Sequence, residues 1–436
     1  MPAQDTLYPL EASYIATNAY FALKDWINLK PVAGVESRAN LLDRVLGLGT
    51  AGIVDPKQPN PTLRGTALAN AKLGNIYSAT TGFGTESGFG YLLNFREGSR
   101  RHTIIATRGT RPELGAADLL TDARAAMTAF PGYGPVHKGF RTTYDSAMVN
   151  LARDHRLLMD SDVVHCVGHS LGGAVATLIA AHYAGLGKSV KLYTFGSPRV
   201  GAGGTYAAMH TAIGKDNIFR VAHDLDPISL IGPFPFIHVN PSSSDPNNFT
   251  IPSPTGSLFS TINHDMNHYI ASTGGEDTDW GYLRGRASQV DHDNAVLARW
   301  LLHKDNEPGW VQYASAKTLG ILFKLFQHVL RTISTSVLLS LTAIDLLAEM
   351  LFNGLHRAKA MGEQILQLLN HAAKWAGFDL APGADFTARI IGRILSTMLA
   401  AVQQMAVGAL QLATRNIKAM PLVIASGWAL SGCSTF

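Results

Sequence analysis

The spacing of apolar residues changes several times along this chain. Between residues 11 and 30, Ile15, Ala19, Phe21 and Trp26 fall roughly on one side of a helix, which predicts an amphipathic opening helix. Residues 31–86 are rich in Gly, Pro, Asn and Thr and read mostly as loops. Strand-like and helix-like runs then alternate. Phe89–Phe95 and Thr103–Ala106 read as neighbouring strands, Val136–Arg153 as a helix and Asp162–Val167 as a strand. An Ala-rich helical run follows from Ser170 to Ala184, then strands at Val190–Phe195 and Ile218–Ala222 with a helix near 203–213 between them. Alternation of this kind predicts a three-layer α/β fold with a mostly parallel sheet. Residues 230–260, rich in Pro, Ser and Asn, read as surface loop.

Around Asp305-Asn306-Glu307-Pro308-Gly309 the pattern turns helical and stays so. This places a boundary near residue 312, between an α/β domain (1–312) and an apolar helical region (313–436). From Lys317 to Phe352, Leu322, Phe326, Val329, Ile333, Val337, Leu341, Ile344, Leu347 and Leu351 recur at helical spacing, and Asn353-Gly354 is the expected break. Residues 394–414 carry no charge and lie between Arg393 and Arg415, long enough for a membrane span, although Gln403, Gln404 and Gln411 weaken that reading. Leu430–Cys433 has the look of a lipobox, a signal that works at an N-terminus, so the likeness is read as chance.

Composition narrows the class. Of 436 residues, 46% are apolar and 16% charged, against a usual charged share of about 25%. That excludes a highly charged disordered chain, and also a collagen-like or disulfide-dense one. The net charge of +4 is too dilute for a nucleic-acid binder. It is also uneven: residues 313–436 hold ten Lys or Arg against five Asp or Glu, a net +5, leaving −1 for the rest. A positive, apolar helical region suits a soluble packed domain or a surface of anionic lipid head groups. The two cysteines, Cys166 in an apolar run and Cys433 near the end, do not call for a disulfide. The first 21 residues lack a basic segment followed by an unbroken apolar core, so no Sec signal is expected. The expectation is a cytoplasmic protein or one exported by a signal-independent route.

The segment Val163–Ala174, Val-Val-His-Cys-Val-Gly-His-Ser-Leu-Gly-Gly-Ala, contains G-x-S-x-G between a strand and a helix. In that setting Ser170 sits on a sharp, strained turn, and Gly168 and Gly172 fit because a Cβ would strike the adjoining strand or helix. The helix N-terminus beyond Ser170 points free N–H groups at the reaction centre. A serine alcohol needs a base, and the base an orienting acid, in the chain order Ser, Asp or Glu, His. Asp224 and Asp226 both follow the strand at 218–222, and Pro227 favours a turn at Asp226. His238, His264, His268 and His292 all come later, and spacing does not choose among them.

Several further segments resemble, in order, motifs of the class 3 lipase family of α/β-hydrolases across roughly residues 11–275. They are Thr103–Thr110 ending Arg-Gly-Thr, Asp118-Leu-Leu-Thr-Asp122 with Leu119 where Trp is usual, Val136-His-Lys-Gly-Phe140, Phe195-Gly-Ser-Pro-Arg-Val-Gly201, and Arg220-Val221 to Asp226-Pro227 with Ile228 in place of Val. The resemblance implies Asp226 as the acid. It implies His264 as base, within His264-Asp-Met-Asn-His-Tyr269, with His268 the alternative and His238 structural. His169 lies within the nucleophile turn. The resemblance also implies an oxyanion hole made by the Leu171 N–H and by Thr110. The family's lid falls between Thr110 and Asp122, where Arg111–Asp118 is too brief for a large flap.

The expectation is a serine hydrolase of lipid esters, a phospholipase A or acylglycerol lipase working through an acyl-enzyme. Acyl transfer of this kind needs no metal or cofactor, and Asp291-His292-Asp293 reads as a solvated turn. A soluble carboxylesterase, or a non-catalytic binding protein that keeps the fold, are the alternatives. An apolar helical region after a lipase without a Sec signal is also similar to lipase effectors delivered by bacterial contact-dependent secretion. Oligomeric state is left open.

Overall fold

The structure is a computed structural model. It describes residues 5–21, 71–81, 85–109, 127–202, 204–230, 236–239, 245–255, 261–275, 278–302, 343–356, 359–380, 385–398, 400, 401 and 404. Its centre is a seven-stranded sheet in the order β1-β2-β3-β6-β7-β9-β11. The first two, β1 (Lys72–Thr81) and β2 (Thr85–Glu97), pair antiparallel, and β2 pairs antiparallel with β3 (Arg100–Thr107). From β3 onward, β6 (Val163–His169), β7 (Val190–Phe195), β9 (Ile218–His223) and β11 (Asn248–Ile251) are all parallel. A small antiparallel sheet joins β4 (Met127–Phe130), β5 (Gly134–His137), β8 (Gly201–Ala202) and β10 (Phe236–Ile237).

Every residue of β6, β7 and β9 is buried, because helices cover both faces of the parallel strands. The pleat sorts their side chains into two cores. Ile105, Cys166 and Leu192 point toward α2 (Lys138–Leu151), α4 (Leu171–Gly185) and α5 (Thr205–Ile213). Ile104, Val167 and Tyr193 point toward α1 (Pro9–Asn18), α6 (Met266–Ser272) and α7 (Trp280–Leu302). The short α3 (His155–Asp160) leads into β6. This is the expected α/β-hydrolase arrangement with a mostly parallel sheet. His137, in the Val-His-Lys-Gly-Phe segment, starts α2: its Nδ1 accepts from the Gly139 N–H at 3.2 Å, and its ring stacks on Phe140.

Several sequence readings need correction. The opening helix ends at Asn18, followed by a 3₁₀ turn over Ala19–Phe21, and is buried nearly all round, since the sheet, α6 and the β2 side enclose it. Trp26 lies outside the described residues. The "loop" before residue 86 contains β1. Its alternation is hidden by Gly74 and by register shifts after Leu73 and Tyr77, so only Tyr77 and Ala79 keep an apolar period. The polar run 230–260 contains β11, an edge strand of four residues. Asp291–Asp293 lies within α7, not in a turn.

In the C-terminal region, α8 (Ala343–Leu355) runs straight through Asn353-Gly354, because Gly354 is buried against its neighbours and the break comes only at His356. After it, α9 (Lys359–Trp375) approaches so closely that a Cβ on Gly362 would lie 2.6 Å from the Leu355 carbonyl oxygen. Residues 388–398 form a further helix whose Gly392 lies against Ala348. Leu347, Leu351, Ile365, Leu369, Ile391 and Ile394 are buried, and α9 packs on α7. Among the described residues no helix is long and apolar enough to cross a membrane. The boundary at 312, Cys433 and most of 394–414 lie outside the described residues.

Candidate active site

The carboxyl ends of β3, β6, β7 and β9 bring the candidate residues together, which is where open α/β sheets place their ligands. Ser170 follows β6 with φ 57° and ψ −132°. Among the described residues it is the one non-glycine with positive φ, a conformation that costs about 1–3 kcal/mol and persists only where the surroundings enforce it. They do so here. The Ser170 N–H donates to the Phe195 carbonyl at 2.9 Å, tying the turn to β7. A Cβ on Gly168 would lie 2.5 Å from the Gly172 carbonyl carbon, and one on Gly172 would lie 2.6 Å from the Arg108 carbonyl carbon. Only glycine lets β6, α4 and the end of β3 approach this closely. Leu171 begins α4, so its N–H has no acceptor within the helix and faces the serine end of the turn. Thr110, the other expected oxyanion donor, lies outside the described residues, as does the expected lid. Arg108, fully buried, donates through Nη1 to the Gly109 carbonyl at 2.7 Å and so fixes the chain entering that segment.

Asp226 and His264 meet directly. His264 Nδ1 lies 2.8 Å from Asp226 Oδ2, and neither side chain is exposed. The carboxylate is well held: Oδ1 accepts from the Ile228 N–H at 2.8 Å, and Oδ2 also accepts from the Tyr269 hydroxyl at 2.6 Å. An acid bonded this way fixes the His264 proton on Nδ1 and leaves Nε2 as the open nitrogen. That atom is buried and makes no hydrogen bond among the described residues. His264 ends a 3₁₀ turn (Thr261–His264), and Asp265 caps α6 by accepting from the Asn267 N–H at 3.0 Å. One turn of α6 then carries Tyr269 back onto Asp226. Burial and the neighbouring Asp226 charge push the Tyr269 phenol well above its ordinary value, so it remains a donor.

The other candidates are used elsewhere. Asp224 accepts from the N–H and hydroxyl of Ser253 at 2.9 and 2.7 Å, bracing the chain after β11. His238 Nε2 lies 3.0 Å from Arg220 Nη2 and 3.1 Å from the Ser229 carbonyl, a structural place in the loop after the acid. His268 is half-buried on α6, and its neighbour in the turn, Tyr269, is the residue that reaches Asp226. The side chain of His292 is outside the described residues.

Three groups escaped the sequence reading. Gly196, at φ 53°, leaves the space that the pair occupies: a Cβ there would lie 2.5 Å from Asp226 Oδ2 and 2.9 Å from His264 Nδ1. Its place in Phe-Gly-Ser-Pro-Arg-Val-Gly was the available signal. Tyr269 was visible only as the end of a motif. His223, buried between Tyr269 and Ser272, ties the acid's strand to the His264 turn through the Asn263 carbonyl at 2.7 Å. Burial pulls its pKa down to about 4. A groove of about 1020 Å³ between the β4–β5 turn, α2 and α5, lined by Phe130, Tyr133, Tyr144 and Met148 among others, includes none of these residues.

A family model described as Lipase (class 3) matches residues 104–235. The chain is 28% identical over 166 residues to "Secreted mono- and diacylglycerol lipase 1" of Fusarium solani, covering 36% of this chain and 48% of that protein. It is 44% identical over 90 residues to "Secreted mono- and diacylglycerol lipase A" of Penicillium cyclopium, covering 20% and 28%. The chain thus spans about half the length of the first relative and less of the second. Among solved structures, mono- and diacylglycerol lipase from Aspergillus oryzae superposes with a TM-score of 0.40 at 19% identity, over 57% of this chain and 81% of that one.

Proposed function

Because residues 104–235 of this chain belong to the class 3 lipase family, we propose that the protein is a carboxylic ester hydrolase that cleaves acyl esters of glycerolipids, with Ser170 as nucleophile, His264 as base and Asp226 as the orienting acid. The observation that carries this reading is the buried 2.8 Å bond between His264 and Asp226, formed beside a serine held at φ 57°. His264 Nε2 takes the Ser170 proton as Oγ attacks the ester carbonyl. The Leu171 N–H, with Thr110 from the adjoining segment, stabilises the oxyanion. The imidazolium then protonates the leaving alcohol, and water hydrolyses the acyl-enzyme by the same route. Loss of one oxyanion donor typically costs about 100- to 1000-fold in rate.

Its relatives are named for mono- and diacylglycerols, which makes partial glycerides the first substrates to try. A phospholipase A activity is the second. The test incubates wild type and Ser170→Ala with mixed vesicles of phosphatidylcholine, diacylglycerol and triacylglycerol, and identifies the products. Release of fatty acid from a glycerolipid by wild type alone is the expected result. Hydrolysis of a p-nitrophenyl ester without any lipid product would mean a carboxylesterase. Inactivity on all of them would leave a binding protein.

We assign residues 313–436 to a helical region that docks on anionic lipid. Lys374, Arg389 and Arg393 are exposed on its described helices. At about 1 kcal/mol per basic residue near such a surface, replacing all three by Gln should weaken binding to phosphatidylserine vesicles by roughly 100-fold. Unchanged binding in sedimentation would refute the docking role.

A further inference from the structure

We propose that Tyr20 and His169 are positioning residues for the base: the Tyr20 hydroxyl sets the tautomer of His169, and His169 holds the main chain and ring of His264. The proposal rests on the Ser170–His264–Asp226 reading. Tyr20 Oη lies 2.7 Å from His169 Nδ1, and His169 Nε2 lies 3.0 Å from the His264 carbonyl oxygen. The two imidazoles stack with centroids 4.4 Å apart at 30°. Tyr20 and His169 are both buried.

The hydrogen-bond chemistry has one consistent solution. A carbonyl oxygen only accepts, so His169 Nε2 carries a proton. Burial, and His264 beside it, hold His169 well below its ordinary pKa and therefore neutral. Its Nδ1 is then an acceptor and Tyr20 is the donor. This tautomer matters for the reaction. A cationic His169 stacked on His264 would oppose the imidazolium that must form there, whereas a neutral ring offers a polarisable face. Among the described residues, the groups facing His169 are Tyr20, His264 and the ring of Tyr269 at 5.9 Å, with His223 near enough to disfavour a positive charge. The same Tyr20 hydroxyl lies where a Cβ on Gly109 would fall, and that Cβ would also be 2.8 Å from Ser170 Cβ. A residue 149 positions away in sequence from His169 thus closes one side of the centre. G-x-S-x-G by itself assigns no duty to its second residue.

The experiment compares Tyr20→Phe, His169→Leu and His169→Gln with wild type in the full chain. It measures kcat and KM on a soluble p-nitrophenyl ester across pH, labelling by a fluorophosphonate probe, and Tm. His169→Leu removes the donor and the ring. It should lower kcat about 30-fold, a fraction of the 100- to 10,000-fold that a positioned base supplies, and leave KM within about twofold. Its acid limb should move to lower pH, because the His264 imidazolium loses the neutral face against it. His169→Gln keeps an amide N–H for the His264 carbonyl and should recover part of kcat. Tyr20→Phe should cost about fivefold, with labelling slowed in step. Wild-type kcat and an unmoved acid limb in folded Tyr20→Phe or His169→Leu would overturn the proposal, and so would a loss confined to Tm. If His169→Leu does not fold, Tyr20→Phe still decides. Ser170→Ala is run alongside: activity in that variant would mean that the triad reading has failed, and its silence with unaffected Tyr20→Phe would mean that only this inference has.

Discussion

Two pairs of stacked, buried histidines involve the central strands β3 and β6, and one of them has the makings of a reaction centre. Toward the start of β3 and β6, His102 and His165 stack at 5.3 Å and 24°, with His102 Nδ1 3.0 Å from His165 Nε2. At the end of β6, His169 stacks on His264 at 4.4 Å and 30°. In the first pair the rings bond to each other, and His165 Nδ1 has the Tyr193 hydroxyl at 3.5 Å. Asp5, partly exposed, stands 3.9 Å from His102. In the second pair a fully buried carboxylate binds one nitrogen of His264 at 2.8 Å, and the other nitrogen is left open. Burial and stacking are common to both. What differs is a desolvated carboxylate at bonding distance, which fits it to orient the proposed base, and a strained serine next in sequence to His169.

The sharpest way to break this contrast is to remove the proposed reacting groups. Ser170→Ala, His264→Ala and Asp226→Asn should each lower kcat by about 1000-fold or more in ester hydrolysis, while His268→Ala stays within about twofold. A large loss in His268→Ala with activity retained in His264→Ala would move the base. Next in size is Gly196→Ala. Its methyl would enter the space of Asp226 Oδ2 at a backbone angle that favours glycine, so a roughly tenfold or greater fall in kcat is expected, with a lower Tm. Normal kinetics in that variant would show that the pair tolerates displacement.

Acid stability probes the same end of the sheet. His223 has a folded pKa near 4 against an ordinary 6.5. Between those values the unfolded chain takes up a proton that the folded chain refuses. Stability is therefore full above about pH 6.5 and falls as the pH drops toward 4. Tm measured at pH 7 and pH 5 should decline, and the decline should be shallower in His223→Gln. The smallest effect on catalysis is expected at the other pair. His165→Gln should lower Tm by a few degrees and leave kcat within about twofold, since its ring stacks with His102, Phe95 and Tyr193. A tenfold loss of kcat there would erase the distinction between the two pairs.

Much of this was legible beforehand because it is local. The turn at Ser170 depends on glycines two residues to either side, and the strands β3, β6, β7 and β9 show as apolar runs because buried parallel strands need them, as does the buried part of antiparallel β2. Edge strands were not legible: β1 alternates weakly across its bulges, and β11 hides among Ser, Pro and Asn, since a strand with one neighbour needs few apolar residues. The base was narrowed to His264 only by likeness to other sequences, because four histidines stand at workable distances along the chain. Gly196 and Tyr20 offered no chemistry of their own to mark them.

The amino-acid sequence by itself determined where a nucleophile turn would form, the order of strand and helix around it, and the placing of an acid at the end of a later strand. These follow from backbone sterics and burial within a few residues. Only the tertiary structure decided which histidine receives the carboxylate, which glycine makes room for the pair, and that a tyrosine from the 3₁₀ turn after the first helix reaches the ring beside the proposed base. Those outcomes depend on distances of about 3 Å between segments far apart in the chain, and such distances are set by how the layers pack.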